Sequence, residues 1–408
     1  VRWAWLLLGV LGTAFAAEPP LLQPLIDATP PGGVLKLGAG TWRGPARISR
    51  PITLDGQGQA QLVGDGRGTV LEVDTDHATL RGLHLRGSGD SHDRADAGVL
   101  LQGRGHQLLD NQFSDVLFGI HLKSATQVLV KGNRVQGKPL AAGLRGDALR
   151  LWNSRHNRVE DNVFSRARDL TLINSPDNQL RRNRFDDGRY GLHVIFSPRL
   201  LAEANQLQHT GTGIVVLYSP GVQLRRNRVA HAMTGGGAGI VVKDSDDALI
   251  EGNEVLHNAV GLKLDAPVEG RTRLAVRGNH FAHNVIGLFF YGEAGAGAFD
   301  DNRFSHNLTT VAISAPGAGG GYRFAGNQWD EYQGFDRNHD RWATRPSMCC
   351  CLPTASGWRR RWPPSSATAR RWNCWTSWSG WRRFRRRCVC CRTRSRACCT
   401  ESTFEDTG

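Results

Sequence analysis

The sequence predicts an all-β chain: a single-stranded, right-handed parallel β-helix opened by a short N-terminal cap helix. Three observations predict it. A polar turn followed by Asn, one further residue and an apolar residue recurs as LLDNQF, VKGNRV, VEDNVF, LRRNRF, AEANQL, LRRNRV, IEGNEV, VRGNHF, FDDNRF and FAGNQW. The ten asparagines, Asn111, Asn133, Asn162, Asn183, Asn205, Asn227, Asn253, Asn279, Asn302 and Asn327, are spaced by 21 to 29 residues and cluster near 22. Between them sits a second phrase, Gly-apolar-x-apolar, as in GIHL, GIVV, GLKL and GLFF, while no helical period appears. A strand at each Asn and each Gly, repeated every twenty-odd residues, describes one solenoid coil, about 4.8 Å from the next. Leucine-rich repeats share the period, but their Leu-spaced consensus is missing.

Taken in order, residues 1–17 carry one Arg, an apolar run (WAWLLLGVLGTAF) and a small-residue A-x-A site. This predicts a secretory signal cleaved before Glu18. The run is too short for an ordinary membrane span, so the mature chain is expected to be exported and not membrane-spanning. Residues 21–56, with TPPGGVLKLGAGTWRG and then ISRPITLDG, read as the cap helix and first coils, and residues 18–340 as one β-helical body. The recurrent Asn fits an inward ladder at a sharp turn, where Asn tolerates left-handed backbone and its amide bonds the next coil. These ten positions are read as structural.

Composition alone misleads. The chain has 408 residues, a formal charge of +14 and nine cysteines, which would suggest nucleic acid, an anionic membrane, disulfides or metal. All nine cysteines lie between Cys349 and Cys399, and residues 341–408 hold 15 Lys and Arg against 3 Asp and Glu. The body is therefore thiol-free and near neutral, which removes the case for a nucleic-acid partner and suits an oxidising compartment. The tail shows no period. Read one nucleotide earlier, the codons of residues 373–376 give Glu-Leu-Leu-Asp and open an amphipathic helix, and those of residues 342–346 give a turn that continues GFDRNHD. Residues 341–408 are expected to be a frameshifted, disordered tail rather than native sequence.

At ATPPGGVLKLGAGTWRGP, GDALRLWNSRHNRVEDNVFSRARDLTLINSPDNQL, DGRYGLHVIFSP, GIVVKDSDDALIEGNEVLHNAVGLKLD and NQWDEYQGFDRNHD the chain resembles the NosD family, over residues 18–340. The resemblance implies a pectin-lyase-like solenoid in the periplasm. It implies a part in copper delivery and copper-site maturation of nitrous oxide reductase, hence in denitrification, alongside an inner-membrane ABC-type ATPase and permease. It also implies that the chain is not an enzyme. A tight Cu(I) site calls for thiolate or thioether ligands, although imidazole also suits copper. The body has one methionine, Met233, and where the family tends to place Met this chain has Val194-Ile195-Phe196 and Val216-Leu217-Tyr218.

Coils aligned on Gly119, Gly191, Gly213, Gly239, Gly261 and Gly287 place Ile120, Leu192, Ile214, Ile240, Leu262 and Leu288 inward. The next column, His121, His193, Val215, Val241, Lys263 and Phe289, faces outward. His121 and His193 lie three coils, roughly 14 Å, apart, so each is at most half of a copper site completed by a partner. Ile195, Val215, Leu217, Val241, Phe289 and Tyr291 form an outward apolar strip of the kind that binds partners. His84, Asp90, His92 and Asp93 offer a second candidate metal group, and Met233 a lone soft ligand. Asp147 and Trp152 are expected to brace a coil. The alternative is a polysaccharide lyase, hydrolase or epimerase, or a carbohydrate-binding scaffold. Such enzymes need clustered carboxylates, whereas the pairs Asp186-Asp187, Asp246-Asp247 and Asp300-Asp301 fall at turns of different coils. No catalytic residue is expected.

Overall fold

The computed structural model describes residues 18–265, 274–292 and 295–330, and in the tail the backbone of two short strands, Cys374–Ser377 and Arg383–Arg386, paired antiparallel. The signal sequence expected at residues 1–17 and most of the expected frameshifted tail lie outside the described residues.

The fold opens with helix α1, Gln23–Ala28, which has a proline in its first turn. Leu22 and Ile26 are buried, and the Gln23 carboxamide both accepts from and donates to the Arg47 main chain, tying the cap to the first coils. Every strand pairing in the body is parallel. In the C-terminal half three sheets are distinct. One contains Ala238–Lys243, Val260–Asp265 and Ile286–Tyr291. The second contains Leu249–Glu251, Leu274–Arg277 and Gly297–Asp300, and the third Glu254–Leu256, His280–Ala282 and Arg303–Ser305. The chain is the expected all-β parallel solenoid with its short cap helix.

Each sheet sends columns of apolar side chains inward. Leu192, Ile214, Ile240, Leu262 and Leu288 stack in the first, Leu224, Ile250, Val276 and Phe299 in the second, and Val229, Val255, Phe281 and Phe304 in the third. All are buried, and each such side chain contributes roughly 1.5–3 kcal/mol relative to exposure. Glycine at the head of the first sheet is a matter of space: a Cβ on Gly213 would sit 2.1 Å from Val229 Cγ1 and 2.5 Å from the Gly239 carbonyl oxygen.

The corner between the second and third sheets carries the asparagines. From Asn111 to Asn327 each side-chain amide donates to the Oδ1 of the next at 2.8–3.0 Å. That same Oδ1 accepts the preceding asparagine's backbone N–H at 2.8–3.1 Å. One detail differs from expectation. None of the ten asparagines has a positive φ; the left-handed residue is the one before, as at Asp161 (φ 58), Arg182 (φ 53), Arg226 (φ 51) and Gly252 (φ 64). The turn is made by a residue outside the ladder, which frees the Asn carboxamide to point into the coil. Shorter ladders run at the other corners, through Ser154, Ser175, Ser197, Ser219 and Ser245 and through Asn258, Asn284 and Asn307.

Candidate functional site

The outward column of the first sheet runs in the expected register, His121 opposite Arg150, Arg150 opposite Thr171 and Thr171 opposite His193. His121 is nevertheless not solvent-facing. It is 8% exposed, flanked in register by Leu100 and Arg150, and its Nε2 is buried without a hydrogen-bond partner. Burial, with the Arg150 and Lys123 charges, pushes its pKa down to about 4. A neutral, enclosed imidazole beside a guanidinium is a poor landing point for a cation.

His193 is half-buried in a charged network that sequence reading did not assemble. Arg168 Nε donates to Asp147 Oδ1 at 2.9 Å, the Arg189 guanidinium clasps Asp169, and the Tyr190 N–H donates to Asp169 Oδ1 at 2.9 Å. His193 Nδ1 lies 3.9 Å from Asp169 Oδ2 and its ring meets Tyr190 edge-on at 4.8 Å. Burial holds the His193 pKa below its ordinary value and that of Asp147 above it. Both carboxylates are 1% exposed and each faces arginine, the arrangement that makes buried charge tolerable. Trp152 stands apart from that network, with the Arg150 guanidinium over its ring.

The second candidate group does not converge. His84 shares its ring nitrogens with Ser114 Oγ at 2.7 Å and Gln61 Nε2 at 3.4 Å. Exposed His92 packs edge-on against Phe118, and Asp90 pairs with Lys138. Among the described residues no group of three or more His, Cys, Asp or Glu is arranged to hold a metal ion. The reason is local: neighbours on the loop after His84 are drawn to different partners. The apolar strip is real only in pieces. Ile195 and Leu217 are half-exposed neighbours, and Val215, at 7%, is buried beside half-exposed Val241. The coils beyond insert Lys243 paired with Asp265, and Lys263 lies over Phe289 and Tyr291. Phe289 and Tyr291 are thus cut off from the rest by charge.

A different set of histidines comes together. His209, His231, His257, His283 and His306 sit on five successive coils, all exposed, with ring centroids 5.1, 5.3, 4.9 and 4.9 Å apart and planes within 14° of parallel. All five have left-handed backbone, φ 52 to 62, at the corner leaving the third sheet. At one end His209 Nδ1 donates to Asp186 Oδ1 at 2.9 Å, which leaves Nε2 as the free lone pair of the neutral ring. A depression lined by Gln136, Ser165, Arg166, Asp186 and Asp187 opens beside that end. Desolvation, with His209, His257 and Arg228 nearby, holds the His231 pKa below its ordinary value. Met233, 56% exposed, lies two residues beyond His231.

The signal for this column was in the sequence: NQLQH, NRVAH, NEVLH, NHFAH and NRFSH each place His four residues after the ladder Asn. Alignment on the Gly phrase hides it; alignment on the Asn phrase exposes it.

Residues 132–334 match a family model described as Periplasmic copper-binding protein (NosD). A curated relative, the Probable ABC transporter binding protein NosD of Pseudomonas aeruginosa, is 31% identical over 169 residues, 41% of this chain and 39% of that protein. The chain thus matches about two-fifths of that relative's length. Among solved structures, the mannuronan C-5 epimerase AlgE6 A-module of Azotobacter vinelandii superposes with a TM-score of 0.60 at 15% identity, over 75% of this chain and 93% of that one. The AlgE4 A-module of the same organism gives 0.50 at 13%, over 72% and 93%. At such identities the likeness is one of fold. Among the described residues no helix is long and apolar enough to cross a membrane.

Proposed function

Because the chain belongs to the NosD family through residues 132–334, we propose that it is a periplasmic accessory protein that carries copper to nitrous oxide reductase. In this reading it works beside an inner-membrane ABC-type ATPase and permease and catalyses no reaction itself. One observation carries the reading furthest: the five exposed, stacked imidazoles lie wholly within the matched residues. Imidazole binds copper, and exposed ligands on a rigid scaffold suit a carrier that must release its cargo. The half-exposed Ile195, Leu217 and Val241 supply an apolar face for a partner, the part of the expected strip that charge does not interrupt. His193 and His121 enter only as ligands that a partner would have to uncover.

Copper loading of the apo-reductase in the presence of the ATPase, the permease and this chain tests the proposal. The reductase should acquire copper only when the chain is present; equal loading without it would overturn the reading. A carbohydrate-active reading has one observation in its favour, the convergence of Arg189, Tyr190 and His193 on Asp169. Cleavage or epimerisation of alginate or polygalacturonate by the purified chain would favour it over copper delivery.

A further inference from the structure

The fold does not require histidine at the corner that carries the stack. On the four earlier coils the same position, four residues after the ladder Asn, is held by Asp115, Gly137, Arg166 and Asp187, and the three that carry a side chain have φ 52, 48 and 63. What the corner demands is a residue that accepts left-handed backbone, for which Asn and Asp serve at least as well as His. Five consecutive histidines therefore answer some other demand. In its neutral form each imidazole has one donor nitrogen and one lone pair.

Resting on the copper reading, we infer that neighbouring rings of this column form two-coordinate sites, each holding one monovalent copper ion between consecutive coils. The reach fits once the rings turn. Metal–imidazole bonds are about 2 Å, so a linear N–Cu–N unit spans about 4 Å, close to the spacing of consecutive coils. The stacked rings are near-parallel with centroids 4.9–5.3 Å apart, so their in-plane lone pairs run side by side. Binding requires each exposed ring to rotate about its side-chain bonds until its nitrogen faces the next coil. Divalent zinc seeks four ligands, which this column cannot supply, whereas d10 Cu(I) is satisfied by two. A neutral ring offers one lone pair, so each histidine serves one ion at a time. Five rings in a row then make at most two disjoint pairs, and every interior ring has a choice of neighbour. An ion can pass along the solenoid by exchanging one imidazole for the next, without leaving the column. The Asp186 contact at His209 fixes which nitrogen faces the ion at that end.

Pairing makes a counting prediction that independent histidines do not. The full chain, with its cysteines alkylated, is loaded with Cu(I) alone and modified with diethyl pyrocarbonate, and protection is read at each histidine by mass spectrometry. Wild type should protect the column and saturate at two ions. His257→Asn leaves the pairs His209–His231 and His283–His306 intact and should still take two. The double variant His231→Asn and His283→Asn leaves three histidines with no adjacent pair and should lose protection at His209, His257 and His306. Asn is compatible with the left-handed corner, and a thermal melt matching wild type confirms the fold. Graded loss in proportion to the histidines removed would overturn paired sites, while protection by Cu(I) at the column would still support copper handling. No protection at any column histidine, with copper loading of the reductase still dependent on the chain, would overturn the column alone. Loss of that dependence would overturn the copper reading itself.

Discussion

Two ladders of identical residues run along the C-terminal coils, four residues apart in every repeat, and they face opposite ways. The asparagines are buried and each is locked to the next by hydrogen bonds from both its amide and its backbone N–H. The histidines are exposed and touch only by ring stacking. The asparagine ladder continues into coils that have no histidine at that corner, through Asn111, Asn133, Asn162 and Asn183. Repetition alone therefore does not distinguish structure from function in a solenoid. What distinguishes them is whether the fold would still close if the residue were exchanged.

Breaking the asparagine ladder should have the largest effect. Asn227→Leu removes an amide that donates to Asn253 and to the Ala202 carbonyl and an oxygen that accepts from Asn205. The partners are left buried and unpaired, so urea unfolding should show a loss of about 3–5 kcal/mol. Gly213→Ala, which forces a methyl against Val229 and the Gly239 carbonyl, should cost about 1–3 kcal/mol. His106 sharpens the comparison from the other side, as a histidine the fold does use. It is 1% exposed, its Nδ1 accepts the Ala78 N–H at 3.1 Å and its Nε2 lies 2.9 Å from the Gln102 carbonyl. Burial holds its pKa below the ordinary 6.5. The unfolded chain thus takes up a proton before the folded one, and stability should fall as pH drops below about 6.5. A urea series across that range should show the slope, and His106→Gln should lessen it, leaving the share that comes from buried His121, whose pKa is held down to about 4. The smallest effect on stability should come from His257→Asn on the exposed ladder, within about 0.5 kcal/mol of wild type.

Much of this architecture was legible because its period is written in residues the fold cannot exchange. Asn111 to Asn327 gave the coil length, and Ile214, Ile240, Leu262 and Leu288 gave the inward face. The left-handed position was misplaced by one residue because the turn tolerates Asp, Arg, Ala or Gly there, so no single letter marks it. The site was read less well. His121 shares a column with His193, but a strand pattern fixes only the side a residue faces and not what stands beside it, and His121 is enclosed. Lys243 and Asp265, in the column between Leu217 and Tyr291, split the apolar strip because a pair on adjacent coils can neutralise itself. Asp169 and Arg189, 20 residues apart in sequence, meet only through the coil register. The stacked histidines were within reach and were hidden by the choice of alignment phrase.

The central claim, that the exposed ladder and not the buried or loop histidines meets copper, is tested most directly by imidazole 15N spectra of the full chain, cysteines alkylated, during Cu(I) addition. The account predicts that shifts are confined to His209, His231, His257, His283 and His306 and end at two equivalents. Shifts at His84, His92, His121 or His193 with the ladder silent would contradict it.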